Sequence, residues 1–389
     1  MHKPHILDYD PKLQLEAEAL PFAGTTLSAL TSVPKIDLHR HLVGAIRPEV
    51  LVYIANKLGV TIPRFSNDAE RIRKASVITN PLPDGYRHFL LKRFWSAFQP
   101  IFSSSSGAAN AIYWAIADAS MDNVAYVEFR VSPYGISPDF QLNLHAFTDA
   151  LREGIRAGAR DFPQTLVKII FSVGRKSIVE KWPIAEHSRY YDRLITVAKA
   201  YPDIVAGFDL SGDEDRYPNE RFVEFADRVK KNGFMLTVHA GETDKASAVW
   251  DAVELLHADR IGHGIGARHD QDLIERLANS HIPLELCPTS NWLLGVVPDL
   301  LDHPCKDFIA NKITITINTD DPTLFRATTL SAEFYRLIVA GQINLSDVER
   351  ISRDSISASF ASAREKAALL SKVNDYFFVE KRATAETRT

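Results

Sequence analysis

The sequence predicts an α/β protein, a (β/α)8 TIM barrel with an N-terminal extension and extra helices after its first strand. Three observations carry this expectation. Short apolar stretches alternate with segments of helical periodicity, the pattern of a parallel sheet with crossover helices. There are eight such stretches, the number that closes a barrel. The 389 residues show no break in composition that would mark a second domain, and one barrel with insertions uses that length.

Residues 1–33 read as an extension packed across the outside of the domain, with a short helical stretch from Pro11 to Leu20. Lys35 to Leu42 reads as the first strand. Pro48 then suits the first turn of a helix whose apolar stripe is Val50, Leu51, Ile54 and Leu58. Residues 60–85 carry Pro63, Pro81, Pro83 and Gly85 and read as irregular. A long excursion after a barrel strand lies on the active-site face, where it can serve as a lid. Its basic run, Arg71 to Lys74, reads as a solvated helix face rather than a phosphate contact. Helices are expected over about 86–120.

The remaining strands read as Val124–Pro133, Leu166–Gly174, Ile204–Gly212, Phe234–Glu242, Arg260–Gly264, Pro283–Pro288 and Ile313–Pro322. Helical stripes separate them. Leu144, Phe147, Ala150, Leu151 and Ile155 form one, and Ala246, Val249, Trp250, Val253 and Leu256 another. Helices continue over 323–372, so residues 34–372 are expected to form a single catalytic domain and 373–389 a tail.

Composition excludes several classes of function. Apolar residues make up 46% and charged residues 24%, as in ordinary globular enzymes, and a net charge of −4 gives no reason to expect nucleic acid as partner. Two cysteines make no disulfide framework, and the N-terminus has no apolar signal core. No run of about 18 apolar residues predicts a membrane span. A cytoplasmic location is expected.

The polar residues that matter fall at strand C-terminal ends. They are His39 and His41, Gly212 and Asp213, His239 and Glu242, His263, and Asp320 and Asp321. In a barrel these positions converge on the face that carries the chemistry. Each has an ordinary reading alone. A lone histidine is more often a structural hydrogen-bonder, and Asp-Asp-Pro a turn or helix cap. For the histidines, Glu242 and the Asp-Asp pair all to be ordinary, four strand ends of one barrel would have to agree by coincidence, so a metal site is the better reading.

Two imidazoles at i and i+2 of a strand project to one face. His39, His41, His239 and Asp320 offer three neutral nitrogens and one carboxylate, a zinc-like donor set. Zinc lowers the pKa of bound water to about 7. A base must then orient and deprotonate that water, and His263 and Asp320 are both candidates. Glu242 is the best placed carboxyl to protonate the site made electron-rich by attack. Asp321 is left to hydrogen-bond the substrate.

These residues lie in strings that resemble the adenosine deaminase family of the amidohydrolase superfamily. The strings are Pro34–Ala45, His239–Glu242, Arg260–Gly264, Leu286–Asn291 and Asn318–Pro322, with Tyr126–Pro133 and Asp209–Glu214 also fitting. The resemblance implies a barrel with one Zn2+ held by His39, His41, His239 and Asp320, and a purine nucleoside or analogue as substrate. It implies that Glu242 protonates the purine N1, that His263 orients the attacking hydroxide, and that Asp321 bonds N7. The Gly212 N–H would contact N3, and His41 would border the substrate as well as the metal. Water adds to C6 and ammonia leaves.

Val43 departs from the family pattern, which usually has an acidic residue there to meet the ribose 5′-hydroxyl. Valine cannot accept a hydrogen bond. That opens adenosine's place to relatives such as aminodeoxyfutalosine, methylthioadenosine, an adenine nucleotide or free adenine. Another amidohydrolase reaction, or a catalytically silent binding barrel, are the competing readings. The deaminases that hold zinc through Cys-x-x-Cys are excluded, because the chain has no such motif.

Overall fold

The structure is a computed structural model that describes residues 27–82, 98, 100–133, 143–326 and 328–386. The helical stretch expected at 11–20 lies outside these residues, as does the 83–97 part of the excursion. Eight strands form one sheet in sequential order: β1 (Lys35–His41), β2 (Val124–Val131), β3 (Leu166–Gly174), β4 (Val205–Ser211), β5 (Met235–Ala240), β6 (Arg260–His263), β7 (Leu284–Leu286) and β8 (Ile315–Ile317). Every neighbouring pair is parallel.

The helices described are α1 (Leu27–Ser32), α2 (Pro48–Leu58), α3 (Ala69–Ser76), α4 (Ser105–Met121), α5 (Leu144–Asp161), α6 (Arg175–Lys181), α7 (Ile184–Ala200) and α8 (Val223–Lys231). They continue as α9 (Ala246–Glu254), α10 (Gln271–Ser280), α11 (Pro288–Leu293), α12 (Cys305–Ala310), α13 (Leu330–Val339), α14 (Leu345–Ala358) and α15 (Ala363–Glu386). Helices α2 and α3 are the additions after the first strand. Pro48 starts α2, where its missing N–H costs nothing. The basic run of α3 is solvated as expected. Arg73 pairs with Glu70 and Glu49, and Lys74 lies 3.4 Å from Glu70. None of the described helices is long and apolar enough to cross a membrane.

The barrel wall closes between β1 and the segment after β8, and side chains complete the seam. The Asp320 N–H donates to the His39 carbonyl and the His41 N–H to the Asp320 carbonyl, both at 2.8 Å. Below them, the Leu38 N–H donates to Asn318 Oδ1 at 2.8 Å and Thr319 Oγ1 to Asp37 at 2.7 Å. This explains why the eighth strand is shorter than the expected 313–322. Asn318 and Asp37 take over pairing that backbone would otherwise make.

The bottom of the barrel is plugged by α14 and α15. Ile356, Ala361, Leu369 and Val373 bury against Ile36, Leu38 and Tyr126. Helix α15 passes position 372 unbroken, and Val373 is fully buried. Burying each large side chain of this kind contributes about 1.5–3 kcal/mol. With its base filled this way, the barrel opens at the C-terminal ends of the strands.

Candidate active site

The strand ends bring three imidazoles together. His39 Nε2 lies 3.1 Å from His239 Nε2, and His41 Nε2 lies 3.2 Å from that same atom. Asp320 Oδ1 is 3.4 Å from His41 Nε2 and 3.7 Å from His39 Nε2. The second Asp320 oxygen is occupied, since it accepts from Ser290 Oγ at 2.7 Å.

Buried carboxylates fix the rings. His39 Nδ1 faces Glu285 at 3.0 Å, and His239 Nδ1 faces Asp209 at 2.9 Å. A carboxylate on Nδ1 claims the N–H there and leaves the Nε2 lone pair free, the usual support for a ligating histidine. Burial, then the Arg130 guanidinium, keep the His39 pKa well below its ordinary value. His41 is also held well below, by burial and then by His239. Burial opposes the charged form of His239 too, but the Asp209 carboxylate outweighs it and leaves this pKa raised.

Four of the six separations among these donor atoms are 3.1 to 3.7 Å, which suits one small cation between them. Tetrahedral ligation at about 2.0–2.1 Å requires edges of about 3.3–3.4 Å. The charge beneath the imidazoles also suits a cation. Arg130 pairs with Asp209 and Glu285, and Arg260 with Glu285 and Glu128, all fully or almost fully buried. Two guanidiniums thus face three carboxylates. The residues present fit a metal ion of the zinc type. Cys287 also comes near His39 and Asp320, but burial pushes its thiol well above the ordinary range, so it offers no thiolate.

The other expected residues lie around this cluster. His263 ends β6 with a left-handed φ of 63°, and its ring centroid is 4.8 Å from that of His39. Burial lowers its pKa to about 3. Its Nε2 is buried with no hydrogen-bond partner among the described residues and lies 3.8 Å from Glu242 Oε1. Asp320 also has φ in the left-handed region, at 59°. Asp321 Oδ1 is likewise buried without a partner among the described residues. Burial, then Asp320, hold the Asp321 carboxyl well above the usual range. Gly212 follows β4 at φ 100°, a conformation that favours glycine.

Several residues that build the site escape sequence reasoning. Glu214 pins the loop that carries Glu242 from both sides. It accepts from the Gly241 N–H at 2.8 Å and the Thr243 N–H at 2.7 Å. Fully buried Arg175 donates to the His239 carbonyl at 2.8 Å and to Asn219 at 2.7 Å. Asp209, Glu285, Arg130 and Ser290 complete the set. One available signal was the pair Glu128 and Arg130, charges two apart in a strand otherwise read as core.

A buried barrel mouth with a metal-type donor set, a flanking carboxyl and an unpartnered imidazole has the parts of a metal-dependent hydrolase site. The sequence model of the family described as adenosine deaminase matches residues 34–376, and the chain belongs to that family. The adenosine deaminase of Vibrio parahaemolyticus is 30% identical over 347 residues, covering 88% of this chain and 98% of that protein. Among solved structures, a zinc-bound amidohydrolase from Burkholderia ambifaria superposes with a TM-score of 0.78 at 24% identity, covering 95% of this chain and 97% of its own. The adenine deaminase of Arthrobacter aurescens gives 0.74 at 23%, covering 89% and 99%.

Proposed function

We propose that this chain removes the 6-amino group of adenosine or a closely related 6-aminopurine nucleoside by hydrolysis, releasing ammonia and the 6-oxo product. The single observation that carries this is the convergence of three Nε2 atoms and one carboxylate oxygen beside an unpartnered imidazole and a flanking carboxyl. His39, His41, His239 and Asp320 would hold the metal, which we take to be zinc. When bound, that ion supplies a water acidic enough to give hydroxide near neutral pH.

The chain's own groups do the rest. Glu242 is the acid that delivers a proton to ring N1 as C6 is attacked, which turns the leaving amine's carbon into a tetrahedral centre. His263 holds the attacking oxygen toward C6. Asp321 in its protonated form donates to N7, and the Gly212 N–H meets N3. His41 borders the bound purine. Val43 is buried and leaves the sugar end without a carboxylate acceptor. This supports substrates altered at the 5′ position, such as methylthioadenosine or aminodeoxyfutalosine, as the second reading. Such a small-molecule enzyme with no membrane or nucleic-acid partner is consistent with a cytoplasmic setting.

The test is ammonia release over adenosine, 2′-deoxyadenosine, adenine, AMP, methylthioadenosine and aminodeoxyfutalosine, with zinc counted by elemental analysis. At least one substrate should turn over, chelation should abolish turnover, and Glu242→Gln should lose about 10²-fold or more with zinc retained. Full activity in Glu242→Gln removes the assigned proton donor. Val43→Asp should shift preference toward adenosine, and an unchanged preference removes the sugar-end argument.

A further inference from the structure

The His263 ring has a support that none of the assigned roles uses. Its Nδ1 lies 3.3 Å from Asn291 Nδ2. Asn291 Oδ1 in turn lies 3.4 Å from His303 Nε2. On its far side, His303 Nδ1 accepts the Cys305 backbone N–H at 3.2 Å. All three side chains are buried: His263 and Asn291 completely, His303 to 2% exposure. The chain runs from the start of α12 through α11 to the end of β6.

We propose that His303 is a positioning residue: through Asn291 it holds His263 in the tautomer that carries its proton on Nε2. The argument starts at the fixed end. A backbone N–H can only donate, so His303 Nδ1 must be a bare acceptor. A neutral imidazole then has its one proton on Nε2. Burial first, and Arg268 after it, lower the His303 pKa to about 3, which keeps the ring neutral. The His303 Nε2–H donates to Asn291 Oδ1, and this fixes the amide's orientation. Asn291 Nδ2 is left facing His263 Nδ1 and donates to it. The His263 proton therefore sits on Nε2, the atom with no partner among the described residues that lies near Glu242.

The tautomer decides what His263 does in the reaction. An Nε2–H donates to the attacking oxygen and fixes the direction of its remaining lone pairs. The opposite tautomer would instead compete for that oxygen's hydrogen. The kinetic part of this inference rests on the deaminase reading, while the tautomer itself does not.

The experiment uses the full-length metalloprotein labelled with 15N-histidine. The His263 resonances, assigned by their loss in His263→Asn, report which ring nitrogen is protonated. The wild type should give the Nε2–H pattern. Asn291→Asp, which can only accept, should move the proton to Nδ1, lower kcat by about 10²-fold or more and leave KM within a few-fold. His303→Leu should give mixed tautomers with a smaller kcat loss. His303→Gln, whose amide again presents N–H to Asn291 Oδ1, should restore most of it. A Nδ1–H pattern in the wild type overturns the proposal, as does an unchanged pattern in Asn291→Asp. Equal kcat losses in His303→Leu and His303→Gln, tracking only their melting temperatures, also overturn it. If no 6-aminopurine is turned over at all, the deaminase reading fails, and the wild-type spectrum still decides the tautomer.

Discussion

Gly44→Ala tests how closely the first strand's turn must approach the Asp321 carboxyl. An added Cβ at Gly44 would lie 1.8 Å from Asp321 Oδ1, 2.5 Å from its Cγ and 2.6 Å from its Cβ. Rotating the side chain relieves the contacts to oxygen and Cγ but not the one to Cβ, because the Asp321 Cβ does not move with its own side-chain torsions. Ordinary contact between such carbons is about 3.4–4 Å, so backbone must shift by roughly 0.8 Å or more. Both sides are tied. The Thr323 N–H donates to the Gly44 carbonyl at 2.8 Å, and the Leu324 N–H to that of Asp321 at 2.9 Å. The shift therefore reaches Asp320 as well. Misplacement on the scale of 1 Å costs about 10²-fold in rate, or about 2.7 kcal/mol of transition-state stabilisation. The assay is kcat/KM for ammonia release on the best substrate, with zinc content and thermal unfolding measured alongside. A folded Gly44→Ala protein with kcat/KM within three-fold of wild type refutes the reasoning.

Two further changes probe the barrel interior and the domain's stability. Glu285 accepts from Arg260 at 2.6 Å, from Thr237 at 3.1 Å and from Arg130, and it holds His39 Nδ1 at 3.0 Å. Glu285→Gln should destabilise the fold by about 3 kcal/mol and weaken zinc binding by about 10–100-fold, read by urea unfolding and chelator competition. Wild-type zinc affinity in that variant would contradict the assigned support of His39. Lys35 Nζ donates to the carbonyls of Leu30, Thr31 and Val33, and burial lowers its pKa from 10.5 to about 8. Between pH 8 and 10.5 the unfolded chain then binds more protons than the folded one at this residue, so its contribution makes stability rise with pH across that window and level off above it. The wild type should gain roughly 2 kcal/mol from pH 8 to 10 relative to Lys35→Met. Parallel pH profiles for the two proteins in urea unfolding would show that Lys35 keeps its ordinary pKa.

The fold was legible because barrel strands and helices leave different periods in the sequence. Leu144, Phe147, Ala150, Leu151 and Ile155 mark α5 at 3.6-residue spacing, and all five are buried. Strand ends were less legible. Phe234–Glu242 reads as one apolar stretch, yet β5 stops at Ala240, because Gly241 turns at φ 71° to hydrogen-bond Glu214. The residues the strand ends bring together were legible because each is polar where an apolar run stops. Their supports were not, because Asp209 and Glu285 gain their meaning only from cross-barrel partners. Glu285 meets Arg130 across 155 positions of sequence and Arg260 across 25. No local pattern records such a pairing.

His263 shows where strand alternation alone would mislead. Along β6, Arg260 points inward to Glu285 and Glu128, and Gly262 is the next inward position. A Cβ at Gly262 would lie 3.0 Å from His39 Cε1, so the missing side chain there makes room for the His39 ring. Period-two alternation then sends His263 outward, with Ile261. Instead its φ of 63° turns the side chain back over the barrel mouth, with its ring centroid 5.3 Å from that of His239. A non-glycine residue held there costs on the order of 1–3 kcal/mol and persists only where its surroundings over-determine it. Here Asn291 takes the ring's Nδ1, and Gly264 follows at φ 74° to complete the turn. The strain, the hydrogen-bonded relay behind the ring and the unpartnered Nε2 in front of it all act on one side chain. A histidine in ordinary strand geometry at this position would face the helices and leave the cluster without its fourth imidazole.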